Sequence, residues 1–180
     1  MQISRPYNND IIVVEYFLSN SELNLLNTSF LTNLDEEDWE TDPGSDNRLV
    51  HIRNVIKNEY HAIPILAKRM TEKLHKLAIT ELGLKSRIED IQPFNEIANL
   101  NSGIDEHDDS ANAKSSVKWG AVVYLSREIV GGEIYYNKLD IAHSPKAGQL
   151  ILHPGTEEYS HGVKPVTSGI RYSMPSFIFN

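Results

Sequence analysis

The chain has 180 residues, 40% hydrophobic and 23% charged, with a formal net charge of −8 and no cysteine. Length and composition fit one soluble domain with a sizeable core, and the missing cysteines exclude disulfides and thiolate metal sites, so any metal must be held by His, Asp or Glu. The acidic balance argues against nucleic acid as a partner, and no apolar run approaches the roughly 20 residues that span a bilayer, so a cytoplasmic protein without a membrane partner is expected.

The opening "MQISRPYNND" lacks the apolar core of a signal peptide. "IIVVEYFLS" (11–19) is β-branched and apolar and reads as a buried strand, with Ser19 or Ser21 as N-cap of a short helix behind it. The polar stretch 34–48, with Pro43 and Gly44, reads as a long exposed loop: a solvated excursion, or a lid carrying Trp39. Residues 62–83 are the clearest helix. Ile63, Leu66, Met70, Leu74 and Leu77 keep helical spacing, Pro64 suits the first turn and Gly83 the stop. His75 falls on the polar side and reads as solvated. Beyond residue 86 the chain breaks into short β-rich runs separated by Gly, Pro, Asn and Asp, the texture of a sandwich or barrel such as a jelly roll. Helices first and strands second predict an α+β domain with the long helix packed on one sheet.

Seven histidines are spread along the chain, and most single histidines are structural or solvated. His107, in "GIDEHDDS", differs because Asp109 lies two positions on. In an extended segment these two side chains share a face, while Asp108 points away. The stretch is either a solvated acidic turn or part of a metal site, and a site needs a third ligand from a distant strand. "SHGVKPVTSGIRYSMPSFIF" offers His161 and, ten residues on, Arg171, with Ser173 on the same strand face and Tyr172 and Met174 on the other. An inward arginine needs an anion, either an internal carboxylate or a bound one. Two histidines and one carboxylate with an open face form the ligand set of non-haem Fe(II) oxygenases.

From about residue 91 to 179 the chain resembles the 2-oxoglutarate- and Fe(II)-dependent dioxygenases, in their prolyl 4-hydroxylase-like branch. The motifs occur in the family's order: "HDD" with His107 and Asp109, "VVYLS" with Tyr124, "GGEIYY", "AGQLILHPG", and "HGVKPVTSGIRYS" with His161, Arg171 and Ser173. The resemblance implies a double-stranded β-helix (jelly-roll) core with N-terminal helices packed on one sheet. It implies a single domain over 1–180, with strand and helix support in 1–86 and the core in 87–180. It also implies Fe(II) on His107, Asp109 and His161, and 2-oxoglutarate held at its distal carboxylate by Arg171, Tyr124 and Ser173. Tyr124 shares a strand face with Val122 and Gly120; a plain core tyrosine is the alternative. Two departures stand out. Ile97 occupies a position, ten before the first ligand, that is often Tyr in the branch, leaving Asn99 or Asn101 to replace a lost contact. Gly103 sits closer to His107 than the family's glycine does.

The activity so implied is hydroxylation of an unactivated C–H bond with O2, coupled to oxidative decarboxylation of 2-oxoglutarate to succinate and CO2, with ascorbate as a candidate accessory reductant. Asp109 favours hydroxylation over halogenation, because related halogenases lack the carboxylate. A proline-containing peptide or protein is the leading substrate by analogy. A free amino acid or other small molecule is the alternative, and the negative charge favours a neutral or basic substrate. The pairs Gly131–Gly132 and Tyr135–Tyr136 are candidates for the entrance, although Trp119 and Tyr136 could equally be packing. Phe177, where nucleobase demethylases carry a second Arg, argues against that class. Two rivals remain: a divalent-metal hydrolase, which leaves Arg171 unexplained, and a non-catalytic binding module, which leaves the triad and Arg171 unexplained.

Overall fold

The computed structural model describes residues 1–7, 10–41, 47–52, 62–110 and 117–179. His61 and residues 42–46, which include Pro43 and Gly44, lie outside them. In chain order the elements begin with β1 (Gln2–Ser4), β2 (Ile12–Glu15), α1 (Asn20–Asn24), β3 (Glu40–Thr41), β4 (Arg48–His51), α2 (Ala62–Thr80), β5 (Glu96–Asn99) and β6 (Ile104–His107). They continue with β7 (Trp119–Tyr124), β8 (Val130–Gly131), β9 (Ile134–Tyr136), β10 (Ile141–His143), β11 (Leu150–Pro154), β12 (His161–Val163), β13 (Val166–Ser168) and β14 (Tyr172–Ile178). Among the described residues no helix is long and apolar enough to cross a membrane.

The strands form an eight-stranded sheet in the order β1-β2-β11-β7-β14-β5-β4-β3, a four-stranded sheet β10-β9-β12-β6 and the pair β13-β8. The pairings that define the site are antiparallel: β7 with β11 and β14, and β12 with β6. This is the jelly-roll arrangement that the β-rich texture predicts. Strand alternation divides the residues of the large sheet between two environments. On β7, Ala121 and Val123 enter a large hydrophobic core with Met70, Leu74, Ile97, Leu152 and Met174, while Gly120, Val122 and Tyr124 line a cavity. A second core of Ile11, Tyr124, Ile134, Tyr136, Ile151 and Tyr159 joins the two sheets beside that cavity.

The long helix ends at Thr80, three residues before the predicted glycine; Gly83 has φ +66° and Leu84 N–H returns to the Ala78 carbonyl at 3.0 Å. Ile63, Leu66, Met70, Leu74 and Leu77 are all buried, each contributing at most about 1.5–3 kcal/mol of apolar burial. Ser19, not Ser21, caps α1: its Oγ accepts from Glu22 N–H at 3.3 Å while Glu22 accepts from Ser19 N–H at 2.8 Å. Glu22 also takes a hydrogen bond from Lys73 of α2 at 3.1 Å, tying the two helices.

Four expectations are corrected. The 11–19 strand stops at Glu15, because Tyr16 takes a left-handed φ of 56° and turns Phe17 and Leu18 inward. The described ends of the 34–48 stretch are not a free loop: Glu40 and Thr41 form β3, which pairs with β4, and β4 pairs with β5 at the sheet edge. Trp39 stacks on Tyr172 at 5.9 Å with the Arg48 guanidinium 5.4 Å above its ring, a packed position on the side of β14 away from Arg171 and Ser173. His75 is not simply solvated; its Nε2 donates to the Ser86 carbonyl at 2.8 Å.

Candidate metal centre

His107 closes β6 and His161 opens β12, and the two are direct cross-strand partners with ring centroids 4.7 Å apart. Asp109 lies two residues past His107, on the same side. One ligand atom from each of these residues falls within 4.8 Å of the others. Asp109 Oδ1 is 3.9 Å from both His107 Nε2 and His161 Nε2. Each histidine is turned by its own backbone: His107 Nδ1 donates to the Asp105 carbonyl at 2.9 Å, and His161 Nδ1 to the Tyr159 carbonyl at 3.1 Å. A carbonyl can only accept, so Nδ1 carries the proton and the Nε2 lone pair faces the centre.

The electrostatics suit a cation. Burial, partly offset by His107, pushes the Asp109 carboxyl up to about 6. Burial and then the neighbouring His107 hold His161 down at about 4, so it stays unprotonated at neutral pH. A divalent ion among these atoms would reverse the cost of the buried carboxylate and use both lone pairs. The donor set, two imidazoles and a carboxylate with no thiolate, fits Fe(II) with open positions for further ligands.

The three residues line one wall of a cavity of about 280 Å³. Tyr124, Arg171 and Ser173 line the same cavity, so all six predicted site residues converge. Arg171 is 2% exposed, the largest fully buried side chain. Its NH1 donates to Ser173 Oγ at 3.1 Å, its guanidinium carbon is 5.2 Å from the Tyr124 ring centre, and its Nε has no hydrogen-bond partner among the described residues. Tyr124 Oη is likewise buried, with no hydrogen bond of good geometry among the described residues, and burial raises its pKa against the pull of the Arg171 guanidinium beside it. Among the described residues no carboxylate pairs with Arg171. A buried guanidinium, a hydroxyl and a phenol, partly unsatisfied, fit a carboxylate-bearing ligand. Gly132 lets the β8–β13 pair close over the arginine: a Cβ there would sit 3.2 Å from Arg171 Cδ.

The flanking residues resolve differently from the sequence reading. Ile97 is fully buried in the large core and faces away from the cavity, which β5 lines through Glu96 and Ala98. Asn101 anchors the start of β14, accepting from Arg171 N–H at 2.9 Å, and Asn99 pairs with Tyr172 across the ladder. Ile97 therefore offers no side chain to the cavity. Gly103 has φ +89° and abuts the Val163 carbonyl, where any Cβ would collide. Tyr136 is buried packing rather than entrance. Glu106 accepts from Asn137 at 2.6 Å and Asp108 from Ser110 at 2.6 Å.

Among the lining residues that escaped the sequence reading, a histidine stands out. His153, on β11 opposite Gly120, is 1% exposed. Burial and the neighbouring His161 push its pKa well below the usual histidine value. The available signal was alternation: in "LILHP", Ile151 and His153 share the inward face of an otherwise apolar strand.

Residues 94–179 match the family model described as the 2OG-Fe(II) oxygenase superfamily. A search of curated protein sequences finds no match. Solved structures share the architecture at low identity. A viral collagen prolyl hydroxylase from Paramecium bursaria Chlorella virus-1, in its 2OG complex, has a TM-score of 0.67 and 17% identity, covering 95% of this chain and 96% of that one. A Pseudomonas putida prolyl-4-hydroxylase has a TM-score of 0.71 and 17% identity, covering 96% and 94%. A Trichoplax adhaerens prolyl hydroxylase, in complex with a hypoxia inducible factor oxygen degradation domain peptide fragment, has a TM-score of 0.73 and 15% identity, covering 96% and 84%.

Proposed function

We propose that the chain, whose residues 94–179 match the 2OG-Fe(II) oxygenase superfamily model, is a dioxygenase of that superfamily that hydroxylates a prolyl residue of a peptide or protein. The observation that carries the reading is the pairing within one cavity of a His–Asp–His centre and a buried arginine without a carboxylate partner. His107, Asp109 and His161 would hold Fe(II), their rings fixed by the two backbone carbonyls. Arg171, Tyr124 and Ser173 would orient 2-oxoglutarate by its distal carboxylate. Bound Fe(II) supplies the chemistry: O2 and 2-oxoglutarate become succinate and CO2 as one oxygen atom enters a substrate C–H bond. Val122, Ile134 and Val163 exclude water from the anion end.

The substrate assignment draws on the fold shared with prolyl hydroxylases, one of them solved with a peptide, and on the cavity's partly exposed lining. Leu49, Leu100, Pro175 and Phe177 offer an apolar rim suited to a pyrrolidine ring. In the same reading residues 1–180 act as one domain with α2 as buttress. Support comes from the shared core, where Met70 and Leu74 join Val123, Leu152 and Met174.

The test is anaerobic. Fe(II) and 2-oxoglutarate are added to metal-free protein, and the weak visible charge-transfer band of the chelate is sought in wild type, His161→Ala and Arg171→Ala. The band should need His161 and weaken without Arg171; proline-containing peptides should then gain one oxygen with matching succinate. A folded protein that gives no band overturns the oxygenase reading. A band with oxidation of free amino acids but of no peptide overturns the peptide substrate.

A further inference from the structure

Asp109 presents its two carboxylate oxygens to different partners. Oδ1 faces His107 and His161, each 3.9 Å away. Oδ2 is buried, has no hydrogen-bond partner among the described residues, and lies 3.9 Å from Nε2 of His153. Both ring nitrogens of His153 are also buried, and among the described residues neither makes a hydrogen bond of good geometry, although the Pro154 backbone carbonyl lies near enough to pull its pKa upward. Two orphaned groups of complementary type thus face one another, separated by about 1 Å more than a hydrogen bond. The space between them is held open. Gly120 is the cross-strand partner of His153, and a Cβ there would lie 2.7 Å from His153 Nε2 and closer still to Asp109 Oδ2.

His153 is not itself in the ligand group. Its ring is 4.3 Å from that of His161 at 66°, edge to face, and the cluster whose ligand atoms converge within 4.8 Å omits it. A neutral imidazole has one N–H to donate; the Pro154 backbone carbonyl and the Asp109 carboxylate compete for it, and the charged carboxylate is the stronger acceptor. His161 has already turned its own N–H to the Tyr159 carbonyl.

We propose that His153 is a positioning residue for the metal centre: its Nε2–H donates to Asp109 Oδ2, leaving Oδ1 alone for the ion. The proposal rests on the Fe(II) reading above. A carboxylate held at its outer oxygen binds with one tooth and a fixed direction, which preserves open positions for 2-oxoglutarate and O2. Without the donor, Asp109 is free to swing or to bind through both oxygens.

The experiment compares wild type, His153→Leu and His153→Gln. Leucine keeps apolar bulk and removes the donor; glutamine places an amide N–H near the position of Nε2. Affinity for Mn(II), a redox-silent probe, is measured by titration in the absence of co-substrate, together with the visible spectrum of the Co(II)-loaded forms and the metal-free thermal midpoint. His153→Leu should bind Mn(II) about 10–100-fold more weakly and show an altered Co(II) spectrum, while remaining folded. His153→Gln should recover most of the affinity and the wild-type spectrum. Equal losses in both variants would mark a packing role and overturn the proposal, as would unchanged affinity in a folded His153→Leu. Wild-type protein that binds neither ion would instead overturn the metal reading itself, so the two failures are distinguishable.

Discussion

Asp109→Asn separates the cost of the site from its use. In the metal-free protein the carboxyl is pushed up to about 6, chiefly by burial, whereas in the unfolded chain it titrates near 3.9. Below pH about 4 both states are protonated and the group is neutral in its effect. As pH rises from about 4 to about 6 the unfolded chain loses this proton while the buried acid keeps it, so stability falls; above about 6 both states are ionised and the loss is complete. At pH 7.5 that difference amounts to about 3 kcal/mol. Asparagine keeps the shape and cannot ionise. The metal-free variant should therefore be more stable than wild type at pH 7.5, by up to about 3 kcal/mol or roughly 6–12 °C in melting midpoint for a chain of this size. The advantage should shrink toward zero near pH 4. Excess divalent ion should reverse the ranking. Wild type gains about 4.1 kcal/mol at 1,000 times its dissociation constant, more than the deficit, and the variant, lacking the ligand, gains little. Thermal melts by circular dichroism with EDTA or Mn(II), at pH 4 and 7.5, give all four comparisons. A metal-free variant no more stable than wild type at pH 7.5, or an advantage independent of pH, would refute the reasoning.

Arg171→Met should weaken 2-oxoglutarate binding by about 10–150-fold, the loss of charged hydrogen bonds worth roughly 1.5–3 kcal/mol, without changing Mn(II) affinity. Because Arg171 is buried without a carboxylate partner among the described residues, its removal should leave the co-substrate-free melting midpoint unchanged or higher; calorimetry and melts check both. Gly120→Ala should cost about 1–3 kcal/mol by overpacking and weaken Mn(II) binding, since the new methyl meets Asp109 and His153 together. Met70→Ala, fully buried in the large core far along α2, should cost about 2–5 kcal/mol in denaturant melts yet leave Mn(II) affinity unchanged under native conditions.

What the sequence revealed and what it hid follow from the range of the interactions involved. Local periodicity was enough for α2, whose stripe from Ile63 to Leu77 is buried as spaced, and for the inward pairing of Arg171 with Ser173, because both depend only on backbone geometry within a few residues. The partnership of strands far apart in the chain has no such local signature. Nothing in "RLVH" marks Arg48–His51 as the neighbour of Glu96–Asn99, nor "IVVE" as the neighbour of Leu150–Leu152, yet these pairings bring the N-terminal half into the same sheet as the site. The face taken by Ile97 depends on that register: aligned with Val50, it enters the helix-facing core, and the residues either side of it face the cavity. His153 shows the same limit more sharply. Its strand made it inward-facing, but its role depends on Gly120 across the ladder and on Asp109 beyond, three segments that meet only in the folded chain. A motif exposes the ligands because their spacing is fixed by chemistry. The residue that directs one ligand's free oxygen can come from any neighbouring strand, so only the assembled sheet reveals it.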